Sequence, residues 1–213
     1  MASKARKIEI SKILSRISEE RGIEEWTLSA LYASKQRALK SKVHIQKALF
    51  LASKYINELK EELEFKAYRL GPYSEEVEDT IEVLESSNYT IKNEKGIALT
   101  NKGLTKAREI WKKLEEDKKT ILKNIIELVS KLDEDELLLY IYTKYGFKEK
   151  SDIINKLLRK RKIIALKMLK KGVISTTLAA KIAGMPLREF IKYAKRKGVR
   201  IYIAEADDLA VTK

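Results

Sequence analysis

The sequence has no cysteine and one histidine, His44, in 213 residues. Without cysteine there is no disulfide framework, no thiolate metal site and no cysteine nucleophile. A Ser-His-Asp relay or a histidine-rich zinc site would have to use His44 alone, which argues against both. Proline is limited to two residues and glycine to eight, while 36% of residues are charged. That balance points to long helices rather than an all-β fold. No apolar run approaches the roughly 18 residues needed to span a bilayer. The start, Met1 to Leu14, is basic but lacks a continuous apolar stretch and a small-residue cleavage site. It reads as the start of an intracellular protein rather than a signal peptide. No Gly-rich phosphate loop, histidine pair or spaced metal-ligand set is present, so no enzyme, cofactor or metal is expected. Abundant Ile, Lys and Glu, with only two Gln, match the composition of thermophile proteins.

Acids are also missing from one region. The net charge is +14. Between residues 153 and 203 there are fifteen Lys and Arg and a single acid, Glu189. This window carries the whole net charge, and the rest of the chain sums to zero. Such asymmetry points to a polyanion partner for one part of the molecule. A merely solvated lysine face would have interspersed glutamates, as in Lys60–Glu64 or Lys112–Lys119.

What is present is mostly helical periodicity. With 44% apolar residues, a chain this long buries about 70% of its unfolded surface and forms one or two domains. Residues 3–20 space Ile10, Ile13, Leu14 and Ile17 as a leading amphipathic helix, with Gly22 as its stop. A second helix is expected from Glu24 to about Leu39, and a third from Ser41 or Lys42 to about Leu63. The third has an apolar stripe of Ile45, Leu49, Ala52, Ile56 and Leu59. Alternation over Phe65–Leu70 predicts a short strand, ended by Gly71-Pro72. Ser74 is expected to cap a helix reaching about Ser86. Tyr89–Leu99 contains two short β-like runs around an Asn93–Gly96 turn, a hairpin signal. Thr100 then caps a helix from about Lys102 to Glu116. This order is that of a winged-helix domain.

The segment from Val43 to Tyr55, with Phe65 to Thr90, resembles the winged-helix module of YwgA-like and Panacea (SocA-type antitoxin) proteins. The resemblance rests on His44-Ile-Gln-Lys47 and Gly71-Pro-Tyr-Ser74. The later Leu137–Ile153 segment is similar to their closing motif, although Gly146 stands where they carry proline. Over residues 25–155 the resemblance implies a helical, wing-bearing interaction domain, not a catalyst. Two further helices are expected over Asp117–Lys131 and Asp133–Tyr145. The acidic run Asp133–Glu136 reads as a charged helix start rather than a metal site.

The basic window begins with a helical pattern from Ser151 to about Lys171, where a break near Arg159–Lys162 is one option, and Gly172 is its stop. Ser175 or Thr176 then caps a helix ending at Ala183. Gly184 supplies a turn, and Pro186 opens a second helix. Ala179, Ala180 and Ala183 are small enough for close helix crossing. Phe190, Ile191 and Ala194 form the buried side of the second helix, with Tyr193 at its boundary. Arg188, Lys192, Lys195 and Arg196 share the opposite stripe. A basic helix projecting after a tight turn has the geometry that enters a major groove. Leu187, Arg188 and Glu189 in its first turn are the candidates for reading bases, although a cap or ion pair suits Glu189 as well. Lys192, Lys195 and Arg196 suit phosphates, and Thr176, Thr177 and Lys181 the backbone.

This stretch, Lys170 to Leu209, resembles uncharacterised protein family 0175. The match falls on Gly172, Ser175, Ala179, Ala180, Ala183, Gly184, Glu189, Phe190, Gly198 and the Asp207-Asp208 tail. It implies a helix-turn-helix often acting as the antitoxin of a nuclease toxin pair. It also suggests a strand over Val199–Ile203 and a tail that binds a partner or forms a dimer.

The expectation is a mainly α, cytoplasmic, nucleoid-associated protein with no membrane partner. A leading helix (1–23) precedes a winged-helix-like domain with a small β-hairpin (24–116). A helical connector (117–150) then leads to a basic helix-turn-helix module (151–213). The function read from these parts is duplex DNA binding by a homodimeric transcriptional regulator or antitoxin-type autorepressor. The alternatives are an antitoxin that works by contact with a toxin protein, and a non-specific nucleoid or RNA-binding protein.

Overall fold

The computed structural model describes residues 22–35, 37–147, 149–199 and 201. The leading helix expected over 3–20 lies outside them. The chain divides into two compact units. Among the described residues, the first takes in those up to Lys66 and Pro72–Ser130, and the second Ala67–Gly71 and those from Lys131 onward. Ten helices and two small two-stranded sheets make up the described residues.

In the first unit, α1 spans Ile23–Ala33 and α2 Lys42–Ala52. α3 spans Asn57–Glu62. α4 is Glu75–Ser86, α5 Asn101–Lys113 and α6 Glu116–Lys131. Helix α1 stops well short of Leu39. Ser34 Oγ donates to the Leu31 carbonyl, and Lys35 takes a positive φ of 56°. Leu39 is then free to pair antiparallel with Ile97. The third expected helix is two helices. The chain leaves helical geometry at Ser53–Ile56, where Ile56 is extended at φ −114°, ψ 110°. Ser53 Oγ bonds the Phe50 carbonyl, a local partner that competes with helix continuation. The apolar stripe survives the break, since Ile45, Leu49, Ala52, Ile56 and Leu59 are all buried.

Strand β1 is Lys66–Tyr68 and β2 is Gly71–Tyr73, paired in one sheet. Gly71-Pro72 therefore begins a second strand instead of ending the element. In a two-stranded ribbon Pro72 has an outer edge on which its missing N–H costs nothing. Ser74 precedes α4 but its side chain does not cap it; Ser74 Oγ donates to the Glu76 carboxylate instead. The hairpin of β3 (Thr90–Asn93) and β4 (Gly96–Leu99) has the expected place and register, with Thr90 opposite Leu99 and Asn93 opposite Gly96. Gly96 has φ +123°, and a Cβ there would sit 2.1 Å from the Leu39 carbonyl oxygen, so no side chain fits. Thr100 Oγ1 accepts from Gly103 N at 3.0 Å, a true cap for α5. Leu28, Leu84, Ala107 and Ile110 form a buried cluster that ties α1, α4 and α5 together, with Tyr32, Tyr89 and Leu99 packed on it.

The second unit contains α7 (Glu134–Tyr145), α8 (Ile154–Lys170), α9 (Thr176–Ala183) and α10 (Leu187–Arg196). The acidic run is a capping box: Asp133 accepts from Glu136 N, and Glu136 accepts from Asp133 N. Every residue from Glu136 to Tyr142 is buried, so α7 is a core helix on all sides. Helix α8 is continuous, and the optional break at 159–162 does not occur. Helix α9 packs on α8, and α10 on α9. The strand expected over Val199–Ile203 falls largely outside the described residues, and neither Val199 nor Ile201 is in a strand. Among the described residues no helix is long and apolar enough to cross a membrane.

Candidate nucleic-acid interface

The α9–α10 pair is built by short-range chemistry. Ser175 Oγ accepts from Leu178 N at 3.2 Å, which satisfies one of the unpaired donors at the start of α9. Helix α9 closes on Gly184 in the left-handed region, at φ 62° and ψ 42°. Gly184 N donates to the Lys181 carbonyl and Met185 N to the Ala180 carbonyl, both at 3.1 Å. These two bonds make a Schellman turn, which only glycine enters without steric cost. The Arg161 guanidinium lies against this turn: a Cβ on Gly184 would come within 2.1 Å of its Cζ. Pro186 then supplies an extended residue before α10, and its carbonyl accepts from Phe190 N at 3.0 Å.

Helix α10 is divided sharply into two sides. Phe190 and Ala194 are fully buried, while Ile191 and Tyr193 are half-buried. Ile191 thus sits nearer the boundary than its expected core position. Tyr193 packs its ring 6.2 Å from that of Phe190. Ala179, Ala180 and Ala183 are buried as expected. Arg188, Glu189, Lys192, Lys195 and Arg196 are all exposed on the other side, and Leu187 is 42% exposed. On α9, Lys181 and Thr177 are exposed and Thr176 is half-buried. The nine expected site residues therefore lie on one pair of adjacent helices. None of the ion pairs among the described residues involves Lys181, Arg188, Lys192, Lys195 or Arg196. Glu189 is exposed and joins none of those pairs either.

No family model, curated protein or solved structure matches this chain. Two other cations of this unit are engaged by carboxylates. Lys171 Nζ donates to the buried Glu136 Oε2 and to the Lys131 carbonyl. Arg69 Nε donates to Asp152 at 2.5 Å, which ties the turn between β1 and β2 to the segment before α8. His44 is buried, with Nδ1 3.0 Å from Ser41 Oγ. The neighbouring Gln46 brackets Ser74, donating to its carbonyl and accepting from its N–H. Lys47 Nζ donates to the Pro72 carbonyl at 2.7 Å, buried. The His44–Lys47 and Gly71–Ser74 motifs are thus one internal structural device. Among the described residues no group of three or more metal-ligating side chains converges.

Proposed function

We propose that this protein binds duplex DNA through α9 and α10, used as a helix-turn-helix, and acts as a transcriptional regulator or antitoxin-type autorepressor. The outer face of α10 carries the reading. Arg188, Lys192, Lys195 and Arg196 stand exposed, and without an ion-pair partner among the described residues, on a helix whose opposite face is sunk in the core. Cations left unneutralised on one helix face displace counterions from a phosphate backbone and gain affinity by doing so. The first turn, Leu187 to Glu189, meets base edges, and Thr176, Thr177 and Lys181 flank the backbone.

The first unit supports a different task. Its order of α1, the Leu39 bridge, α2, α4, β3–β4 and α5 is winged-helix-like. Yet α4, the helix before the wing, carries six acids and no base. Phosphates repel such a helix, so this unit serves assembly or partner binding. In a homodimer two α10 helices meet half-sites about 34 Å apart.

A mobility-shift titration of the full chain tests this, using its own promoter fragment with excess random competitor at two salt concentrations. A competitor-resistant shift is expected. The double change Lys192→Ala and Arg196→Ala removes two phosphate contacts and flattens the logarithmic salt slope by about 1.8. Arg188→Ala relaxes sequence preference instead. Unchanged affinity in the double variant sinks the site assignment. No shift at low salt sinks DNA binding.

A further inference from the structure

Helix α8 carries a second set of unneutralised cations. It has seventeen residues and no acid. Lys156, Lys160, Ile163, Lys167 and Lys170 recur at steps of four, three, four and three, so they form one stripe along the helix. All five are exposed, Ile163 by 57%. Arg159 is exposed beside them. None of these cations takes part in the ion pairs among the described residues, whereas Lys171, one position beyond, is held by Glu136. The absence of a partner is thus a property of this stripe and not of every lysine nearby.

The stripe lies on the side of α8 turned away from the α9–α10 turn. Leu157, Ile164, Ala165 and Met168 bury the other side of α8, and Arg161 on that same side covers the α9–α10 turn. At about 100° per residue, the middle of the stripe lies roughly 140° around the helix axis from Arg161. The α9–α10 pair is therefore approached from one side of α8, and the lysine stripe faces another. From Lys156 to Lys170 the stripe runs about 21 Å. That length spans roughly six base pairs of duplex, each step bringing a new phosphate on each strand.

We propose that the outer face of α8 is a second duplex-binding surface, so that one C-terminal unit bridges two DNA segments. This rests on the helix-turn-helix reading of α10, which takes the first segment. The second contact is to phosphates only: lysines on a straight face, with no tight turn to present base-reading residues. It holds any duplex sequence and weakens steeply with salt. Ile163 gives the face one small apolar foothold among its charges without forming a continuous apolar stripe.

The test is a bridging assay on the full chain. One duplex containing the preferred site is fixed to beads, and a second, fluorescent duplex of random sequence is captured from solution. Salt is held near 0.15 M, where the screening length of about 8 Å separates the two faces. The α8 variant is Lys156→Gln, Lys160→Gln and Lys167→Gln. Its affinity for one duplex is expected to stay within about twofold, while capture of the second falls about tenfold or more. The matching triple change to arginine, which keeps the charge, is expected to preserve capture. Three results overturn the inference and leave the α10 reading intact. The wild type shifts one duplex but captures no second. The glutamine variant captures as well as the wild type, which assigns bridging to paired copies of α10. The glutamine variant loses single-duplex affinity in the same proportion, which puts both helices on one duplex. A wild-type protein that shifts no duplex at all sinks both readings.

Discussion

Several lysines of the first unit are answered by acids, while two helix faces of the second unit carry cations that join no ion pair among the described residues. Lys42 lies 2.7 Å from Glu78 and 2.9 Å from Glu82, Lys119 lies 2.7 Å from Glu116, and Lys118 reaches both Glu58 and Glu115. Burial alone would lower the Lys42 ammonium, but its hydrogen bonds to Glu78 and Glu82 outweigh that and hold it above the ordinary lysine range. In the second unit the α8 stripe holds cations with no acid among them, and the α10 face holds four with Glu189 alone, which joins no ion pair among the described residues. Paired lysines use their charge within the fold, and those two faces leave theirs available. Composition alone does not separate these uses; the position of the acids does.

Substitutions in the two units put this contrast to the test. The largest effect belongs to Phe190→Ala. Phe190 is fully buried under α10, and its loss should cost about 3–5 kcal/mol, with DNA affinity falling as the unit loosens. Urea unfolding followed by mobility shift measures both; intact stability would mean α10 is not anchored as described. Lys47→Met should cost about 1–3 kcal/mol, because the Pro72 carbonyl is left buried without its donor. Its signature is a lowered unfolding midpoint with DNA affinity unchanged below that midpoint. A lysine of the first unit that altered binding directly would erase the contrast. Ser175→Ala removes the α9 cap and should cost about 1 kcal/mol, read by thermal unfolding.

The smallest effect is electrostatic. The hydrogen bond from Lys118 holds the Glu58 carboxyl below its ordinary range. A lowered folded value means stabilisation that is present above the unfolded value, about 4.3, and is lost as pH falls through the folded one. Glu58 is half-exposed, so Glu58→Gln should cost under about 1 kcal/mol at neutral pH. Unfolding curves of the two proteins should converge in acid below that window. A difference that persisted there would assign the effect to packing instead.

The second unit was largely legible in the sequence because its signals are local. Ser175, Gly184, Pro186 and the Phe190–Ala194 spacing each fix a neighbouring bond, and no distant partner is needed to interpret them. The α5 cap at Thr100 and the Asn93–Gly96 turn were legible for the same reason. The first unit misled where partners are remote. The apolar stripe from Ile45 to Leu59 runs unbroken through residues that leave the helix, since a buried face can be continued by an extended residue such as Ile56. Leu39 reads as helical until Ile97 claims it as a strand partner. Ser74 misled for a local reason instead: it has the residue type of a cap, but Glu76, two residues on, takes its hydroxyl. The α8 stripe needed the fold in another way. Its spacing was visible, but which side of the helix faces the α9–α10 turn was settled by Arg161.

That contact has a mechanical meaning. With the Arg161 guanidinium seated on the Gly184 turn, a side chain rooted in α8 braces the junction of α9 and α10. Under the proposed docking, a pair braced in advance has less freedom to lose on binding.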